Sequence, residues 1–128
     1  MIRFEKPVDP HFLRSAWPFW YMATPYTRFP AGHEAAYIEA SKAAGLLLKA
    51  GVPIFPAIPS VHRAAQQTPG LDPTDGEFWY RVLLPYLRLS FGLIIVKMSA
   101  WDTSVGIGRE QVDTDRDRKP ILYMEWPQ

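Results

Sequence analysis

The sequence contains no cysteine, no apolar run long enough to cross a bilayer and little net charge. Without cysteine, the chain cannot form disulfides, thiolate nucleophiles or cysteine-ligated metal sites. A transmembrane helix needs roughly 20 consecutive apolar residues, and no stretch of this sequence provides them. The formal net charge is +1 and the basic residues are scattered, so we expect no binding to a nucleic acid polymer or to a membrane.

Metal ligands and targeting signals are equally scarce. The three histidines, at positions 11, 33 and 62, show no metal-ligand spacing, so we expect no bound metal. Nothing in the sequence indicates another cofactor. The first ten residues carry charged side chains in place of the apolar centre of a secretory signal. Together with the lack of cysteine, this pattern predicts a cytoplasmic protein.

The composition that is present is typical of a folded globular protein. Apolar residues make up 48% of the chain and charged residues 21%, and a chain of 128 residues forms one hydrophobic core. We therefore expect a single domain over residues 1–128. Residues 1–17 precede the first predicted strand and form an N-terminal arm whose role the sequence does not define.

Apolar runs alternate with segments of helical periodicity along the chain. Strands are predicted over residues 19–23, 52–58, 91–97 and 121–124, and helices over residues 32–50, 77–89 and 105–118. Pro53 and Pro56 place the second strand at a sheet edge, and Gly51 is expected to end the first helix. Pro85 is expected to kink or divide the second helix. Residues 59–76 are predicted as a long loop with at most a short helix over residues 62–67.

Strands separated by helices indicate an α/β fold with a parallel sheet covered on both faces. We expect a flavodoxin-like or Rossmann-like three-layer sandwich with four to five strands. In such sheets, ligands bind beyond the carboxyl ends of the strands. The three segments expected to build the site are residues 24–27, the loop over residues 59–76, and residues 99–110.

The third of these segments is the most informative. Ser104 precedes a helix and can cap its free amides, while Gly106 and Gly108 allow close approach of a ligand to the backbone. Glu110 lies about one turn into the helix, where the amides and the helix dipole favour an ionised carboxylate, as a nucleophile requires. The alternative is that Ser104 is only a cap and Glu110 a surface residue that complements the dipole.

Residues 104–110, Ser-Val-Gly-Ile-Gly-Arg-Glu, resemble the Ser-x-Gly-x-Gly-x-Glu segment of deoxynucleoside 5'-monophosphate N-glycosidases. These enzymes belong to the nucleoside 2-deoxyribosyltransferase superfamily. Residues 21–26 and 119–123 are similar to the opening strand and turn and to the final strand of that superfamily. Trp79 in the middle helix and the Trp-Asp-x-Ser-x-Gly segment at residues 101–106 resemble the small DUF1937 set within it. The resemblance covers roughly residues 19–124.

The resemblance implies an N-glycosidase or deoxyribosyltransferase that acts on a nucleoside or nucleoside 5'-monophosphate. It makes Glu110 the nucleophile that attacks the anomeric carbon, with Ser104 at the sugar 5'-phosphate. A retaining displacement uses two carboxyl groups, and Asp75 is the first candidate for the second, followed by Asp102. Tyr26 is expected to orient Glu110 or border the sugar. The remaining residues expected to bind substrate are Thr24, Pro25, His62, Trp101, Gly106, Gly108 and Arg109, with Arg28 as a further phosphate ligand.

Several alternatives stay open. Trp101 either stacks on the base or packs in the core, and the arginines either pair with phosphate or are simply exposed. The polar run over residues 111–118 departs from the family and is predicted to be a solvated helix face. Family members build their sites across subunit contacts, which implies a homodimer or larger assembly. The competing functions are a catalytically silent nucleotide-binding module and a self-associating structural protein.

Overall fold

Apolar runs and helical periodicity produce four strands and five α-helices in the computed structural model, which describes residues 2–128. In chain order they are α1 (Pro10–Arg14), β1 (Trp20–Ala23), α2 (His33–Lys49), β2 (Ile54–Pro56), α3 (Ala57–Gln67), α4 (Gly76–Leu89), β3 (Gly92–Val96), α5 (Val105–Arg116) and β4 (Ile121–Met124). A 3-10 turn at Trp101–Thr103 precedes α5. No helix within residues 2–128 is long and apolar enough to cross a membrane.

The four strands form one parallel sheet in the order β2-β1-β3-β4. This confirms the predicted α/β fold of the flavodoxin-like or Rossmann-like kind, and it places the proline-containing strand β2 at an edge, as expected. The chain leaves β1 towards β2 on one side, and β3 and β4 lie on the other side. The connections therefore diverge between β1 and β3, which is where ligands bind in open parallel sheets.

Alternation along the strands divides the core between two faces of the sheet. Trp20 and Met22 point to one face, where they pack with buried alanines of α2 and with Leu13 of α1. Tyr21 and Ala23 point to the other face, where they pack with Leu87 of α4 and Ile107 of α5. Successive strand side chains point to opposite sides, so both faces of the sheet are apolar. Helices α1 and α2 cover one face, and α4 and α5 cover the other.

The N-terminal arm covers the α2 face of the sheet. Leu13 is buried in that core, and its carbonyl oxygen accepts a hydrogen bond of 2.9 Å from the Trp20 indole. Phe4 forms an antiparallel bridge with Met124 at the end of β4. At the other end of α2, Gly51 adopts a φ of 80°, which favours glycine and confirms the predicted end of this helix.

The prediction of a long loop over residues 59–76 is wrong. Helix α3 begins immediately after β2, so the connection to α4 covers only residues 68–75. Pro59 lies in the first turn of α3, where a missing amide hydrogen costs no helical hydrogen bond. The buried residues of α3 are Ala57, His62 and Ala65. Pro59 and the polar residues of this segment favour a loop, although its apolar residues recur at helical spacing.

Pro85 does not divide α4, which continues through it from Gly76 to Leu89. Pro85 and Arg81 are both exposed, so the Arg81 carbonyl that loses its helical partner can bind water instead. A proline on the solvent side of a helix is therefore tolerated here. The expected division of this helix is wrong for that reason.

The predicted solvated face at residues 111–118 is also partly wrong. Asp113 and Thr114 are buried, with 6% and 2% of their surface exposed. Asp113 accepts a hydrogen bond from the Tyr80 hydroxyl and pairs with Arg116 at 2.8 Å. The Thr114 hydroxyl donates to the backbone carbonyl of Glu110 at 2.7 Å. Because these polar groups are hydrogen-bonded, α5 buries them where the sequence pattern predicts solvent.

Candidate functional site

A cavity of about 380 Å³ opens beyond the carboxyl ends of β1, β2 and β3. The segments after these strands all contribute to its wall, as the sequence predicts for an open parallel sheet. Its lining residues from those segments include Thr24, Tyr26, Thr27 and Arg28 after β1, Ala57 and Ile58 after β2, and Ser104, Val105, Gly106, Ile107, Arg109 and Glu110 after β3. Volumes in this range accommodate small-molecule ligands.

Helix α4 forms an apolar wall of the cavity. Its lining residues are Gly76, Trp79, Tyr80, Leu83, Leu84 and Leu87, which recur at the three- and four-residue spacing of one helix face. The wall is therefore a continuous aromatic and aliphatic surface beside the sheet. Such a surface suits a flat, weakly polar ring better than a charged group.

Glu110 is the one carboxylate among the lining residues within the described range 2–128. Burial raises its pKa, the Tyr21 hydroxyl lowers it as a hydrogen-bond donor, and the charge of Asp113 raises it, with the result at about 7. The expectation that the helix start keeps Glu110 fully ionised is therefore not met. The side chain lies inside the cavity, where desolvation outweighs the stabilisation available at the helix terminus.

Tyr21 is the tyrosine that faces Glu110. Burial raises the pKa of Tyr21 well above its ordinary value, and the neighbouring charge of Glu110 raises it further. Tyr21 therefore remains protonated beside the carboxylate, with a hydroxyl hydrogen to donate. Tyr26 was expected either to orient Glu110 or to border the sugar; it lines the cavity, but strand alternation in β1 puts residues 21 and 23 on the cavity side, and Tyr21 is the tyrosine beside Glu110. That alternation was the signal that could have identified Tyr21.

The start of α5 forms the polar end of the cavity. The Ser104 hydroxyl oxygen accepts a hydrogen bond of 3.3 Å from the Ile107 amide, so the predicted cap is present. A Cβ atom added to Gly106 would meet only the Ser104 hydroxyl, at 3.9 Å, which leaves the backbone open to a ligand. Gly108 is not among the lining residues. The helix terminus therefore offers free amides beside the cavity, where an anionic group is favoured.

Thr24 lies in the wall and has an unpaired polar atom. It is buried with 6% of its surface exposed, and its hydroxyl has no hydrogen-bond partner among residues 2–128. A buried hydroxyl without a partner is costly, and this oxygen has almost no accessible surface, so other atoms of Thr24 line the cavity. Pro25 is buried next to it and does not line the cavity.

Two arginines in the cavity wall are held by other groups. Arg109 forms an ion pair with Glu77 at 2.7 Å, and its guanidinium lies 3.6 Å from the centre of the Tyr80 ring. Arg28 donates a hydrogen bond of 2.9 Å to the carbonyl oxygen of Thr103. These contacts hold both cations at the cavity, and Glu77, which lies outside the lining, offsets the charge of Arg109.

The two aspartates predicted as second carboxylates do not line the cavity. Asp75 is exposed and caps α4, where its side chain accepts a hydrogen bond of 3.2 Å from the Phe78 amide. Asp102 is exposed in the 3-10 turn before α5. Both were singled out by proximity in sequence, and both lie at helix starts, where aspartate is favoured for local reasons.

Trp101 and His62 also lie outside the cavity wall. Trp101 packs edge-on against Tyr123, with ring centres 5.7 Å apart, so the core alternative holds for it. His62 is buried behind Tyr26, whose hydroxyl lies 2.7 Å from its Nδ1 atom. Within residues 2–128 there is no group of three or more histidine, aspartate or glutamate side chains that could hold a metal ion.

The four-stranded parallel sheet belongs to the flavodoxin-like or Rossmann-like class, and its cavity lies at the divergence point of β1 and β3. Residues 19–126 match the family described as a domain of unknown function, DUF1937. The chain belongs to this family. A comparison with curated proteins gives no match.

Proposed function

We propose that the cavity binds a nucleoside or nucleoside 5'-monophosphate and cleaves its N-glycosidic bond, with Glu110 as the nucleophile. The observation that carries this proposal is the position of Glu110, as the one lining carboxylate of the described chain, beside the Tyr21 hydroxyl. The link to nucleoside 2-deoxyribosyltransferases rests on the resemblance of residues 104–110. The geometry of the cavity supports the proposed cleavage independently of that resemblance.

The chemistry requires Glu110 as a carboxylate at the moment of attack. A pKa of about 7 leaves a large ionised fraction at neutral pH, and a carboxylate of raised pKa is also a stronger nucleophile. One carboxylate oxygen forms a bond to C1' of the sugar as the bond from C1' to the base nitrogen breaks. The resulting glycosyl ester then reacts with water or with a second base. Tyr21 donates to the other oxygen and orients the group.

The lining divides into parts that match the parts of a nucleotide. The apolar face of α4, with Trp79 and Leu83, suits the base. The amides at the start of α5 and the guanidinium groups of Arg28 and Arg109 suit a 5'-phosphate. The guanidinium of Arg28, which is hydrogen-bonded to a carbonyl oxygen rather than to a carboxylate, favours a monophosphate over an uncharged nucleoside.

The direct test is incubation with a panel of ribo- and deoxyribonucleosides and their 5'-monophosphates, with free base measured by chromatography. We expect base release from at least one monophosphate, and Glu110→Ala should reduce it by at least about 10³-fold because the nucleophile is lost. Glu39→Gln is the matched control, since Glu39 lies on α2 outside the cavity. Release that survives Glu110→Ala would remove Glu110 as the nucleophile.

A catalytically silent nucleotide-binding module is the second candidate. The observation that favours it is the lack of a second carboxylate in the lining from residues 2–128, because retaining glycosidases place two carboxyl groups about 5 Å apart. Calorimetry with the same panel separates the two functions. Tight binding of a monophosphate that stays intact over a day would favour the silent module over the enzyme.

The expected homodimer and the cytoplasmic location remain predictions. The exposed faces of α4 and α5 carry large apolar side chains that suit contact with a second copy of the chain. These side chains are Val82, Tyr86, Leu89, Val105 and Val112. They lie on the helices that also form the cavity wall, so an assembly through this face would adjoin the site.

A further inference from the structure

Three hydrogen-bonded side chains, Tyr26, His62 and Glu34, form a line that leads from the cavity wall to the surface. The Tyr26 hydroxyl lies 2.7 Å from Nδ1 of His62, and Nε2 of His62 lies 3.1 Å from a carboxylate oxygen of Glu34. Tyr26 lines the cavity, His62 is 2% exposed, and Glu34 is exposed outside the cavity. The line therefore joins the cavity to a carboxylate that is not part of its wall.

Neighbouring rings fix the two aromatic members of this line. The Tyr26 ring stacks on His33, with ring centres 4.4 Å apart and planes 12° apart. The His62 ring stacks on Tyr37, with ring centres 4.5 Å apart and planes 20° apart. Because both rings are held on a flat face, neither hydrogen bond along the line depends on a freely rotating side chain.

Glu34 is held as an acceptor. Arg63 donates to both of its carboxylate oxygens, at 3.2 and 3.0 Å. The hydrogen bond from His62 lowers the pKa of Glu34, and the charge of Arg63 lowers it further. An ionised carboxylate accepts hydrogen bonds and cannot donate them. The Nε2 atom of His62 therefore carries a hydrogen.

This fixes two states of the line that differ by one proton. When His62 is neutral, Nδ1 is an acceptor, the Tyr26 hydroxyl donates to it, and the Tyr26 oxygen offers only lone pairs to the cavity. When His62 is charged, Nδ1 donates to the Tyr26 oxygen, and the Tyr26 hydrogen is free to point into the cavity. The same two states, acid and base, are what a retaining displacement requires of its second group.

We propose that Tyr26 is the second proton-transfer group of the site, with His62 storing the transferred proton on Nδ1 and Glu34 positioning the His62 ring through Nε2. This inference rests on the proposed function, which requires such a group where the cavity provides no second carboxylate. The arrangement follows the logic of a hydroxyl, an imidazole and a carboxylate acting as one unit. Here the hydroxyl moves protons, and Glu110 keeps the role of nucleophile.

The two steps balance. In the first, an oxygen of Glu110 bonds to C1' and the electron pair of the C1'–N bond goes to the base. The base takes the Tyr26 proton, and the proton on Nδ1 of His62 replaces it. In the second, a water oxygen bonds to C1' and the electron pair of the ester bond returns to Glu110. The water proton goes to Tyr26 as the Tyr26 proton returns to Nδ1, which restores the starting state.

The functional test uses the 5'-monophosphate that the wild-type chain cleaves fastest in the panel. We expect Tyr26→Phe to lower kcat by about 10²-fold or more, the range of general acid–base catalysis, with KM within about threefold. Phe keeps the ring that stacks on His33. His62→Gln should lower kcat as well. His11→Gln is the matched control, since His11 neither lines the cavity nor contacts the line.

A spectroscopic readout tests the line without any variant or substrate. Long-range ¹H–¹⁵N NMR of the neutral histidine rings should show His62 as the tautomer with hydrogen on Nε2. The tautomer with hydrogen on Nδ1 would overturn the proposal, because Tyr26 could not then donate to it. Unchanged kcat in Tyr26→Phe, with base release still abolished by Glu110→Ala, would overturn this proposal alone. No base release by the wild type would overturn it together with the proposed function.

Discussion

The two faces of the sheet are built from the same strands and are used differently. On the α2 face, five buried residues of that helix, four of them alanine, bring the helix against Trp20 and Met22. On the α4 face, the wall stands back from Tyr21 and leaves a cavity of about 380 Å³. The residues that line this cavity carry a carboxylate with a pKa of about 7 and a hydroxyl without a partner.

The comparison shows that polar groups whose burial lowers stability lie on the α4 face of the sheet. The α2 face is close-packed, so its side chains contribute to the free energy of folding. The α4 face retains Glu110 in a desolvated position and Thr24 without a hydrogen bond, and both features lower stability. Groups that destabilise the folded state and converge on a cavity indicate a functional site. We therefore expect substitutions on the α2 face and on the α4 face to have different effects.

The largest expected difference between the faces is in cavity formation. Leu47 is completely buried on the α2 face, and Leu47→Ala should lower the free energy of unfolding by about 2–5 kcal/mol. Leu84 borders the existing cavity, so Leu84→Ala should cost less than about 1.5 kcal/mol, since little new void is created. Urea unfolding measures both. Equal losses would show that the two faces are packed alike.

The next effect is the pH dependence caused by Glu110. Its pKa is about 7 in the folded protein against 4.5 for the unperturbed group, so folding disfavours its ionisation. The penalty begins as pH rises past 4.5 and is complete above about 7, at about 3 kcal/mol. Relative to Glu110→Gln, the wild type should therefore lose stability over this range. Parallel stability profiles between pH 4 and pH 8 would contradict the raised pKa.

The smallest effect concerns Asp75. Asp75→Ala should lower the free energy of unfolding by about 1 kcal/mol, because the cap of α4 is lost, whereas asparagine should preserve the cap. Both variants should retain base release within about threefold. A loss of about 100-fold in the asparagine variant would restore Asp75 as the second carboxylate and contradict its assignment as a cap.

The strands and the location of the site could be predicted because they depend on local pattern. The apolar runs at β1, β3 and β4 and the helix start at Ser104 are visible in short windows, and parallel topology then places the ligand site. The position of Glu110 beyond β3 was predicted from this pattern. Its burial was not predicted, because burial depends on the distance between α4 and the sheet.

Two of the missed features depend on partners distant in sequence. Tyr26 meets His62 across 36 positions, and Tyr80 meets Asp113 across 33. Periodicity gives no indication of such pairs. It therefore assigned His62 to a loop and Asp113 to a solvated face. Asp75, the first candidate for the second carboxylate, is not among the lining residues, and an aspartate at a helix start has a sufficient local explanation as a cap.

The most direct test of the central claim is to trap the glycosyl ester on Glu110. A 2'-deoxy-2'-fluoro analogue of the cleaved 5'-monophosphate slows both steps, because fluorine destabilises the positive charge that develops at C1'. We predict that the intact mass rises by one fluorinated sugar phosphate, on the peptide that contains Glu110, and that Glu110→Gln stays unmodified. Base release from the analogue with no adduct under rapid quenching, or an adduct on another residue, would contradict Glu110 as the nucleophile.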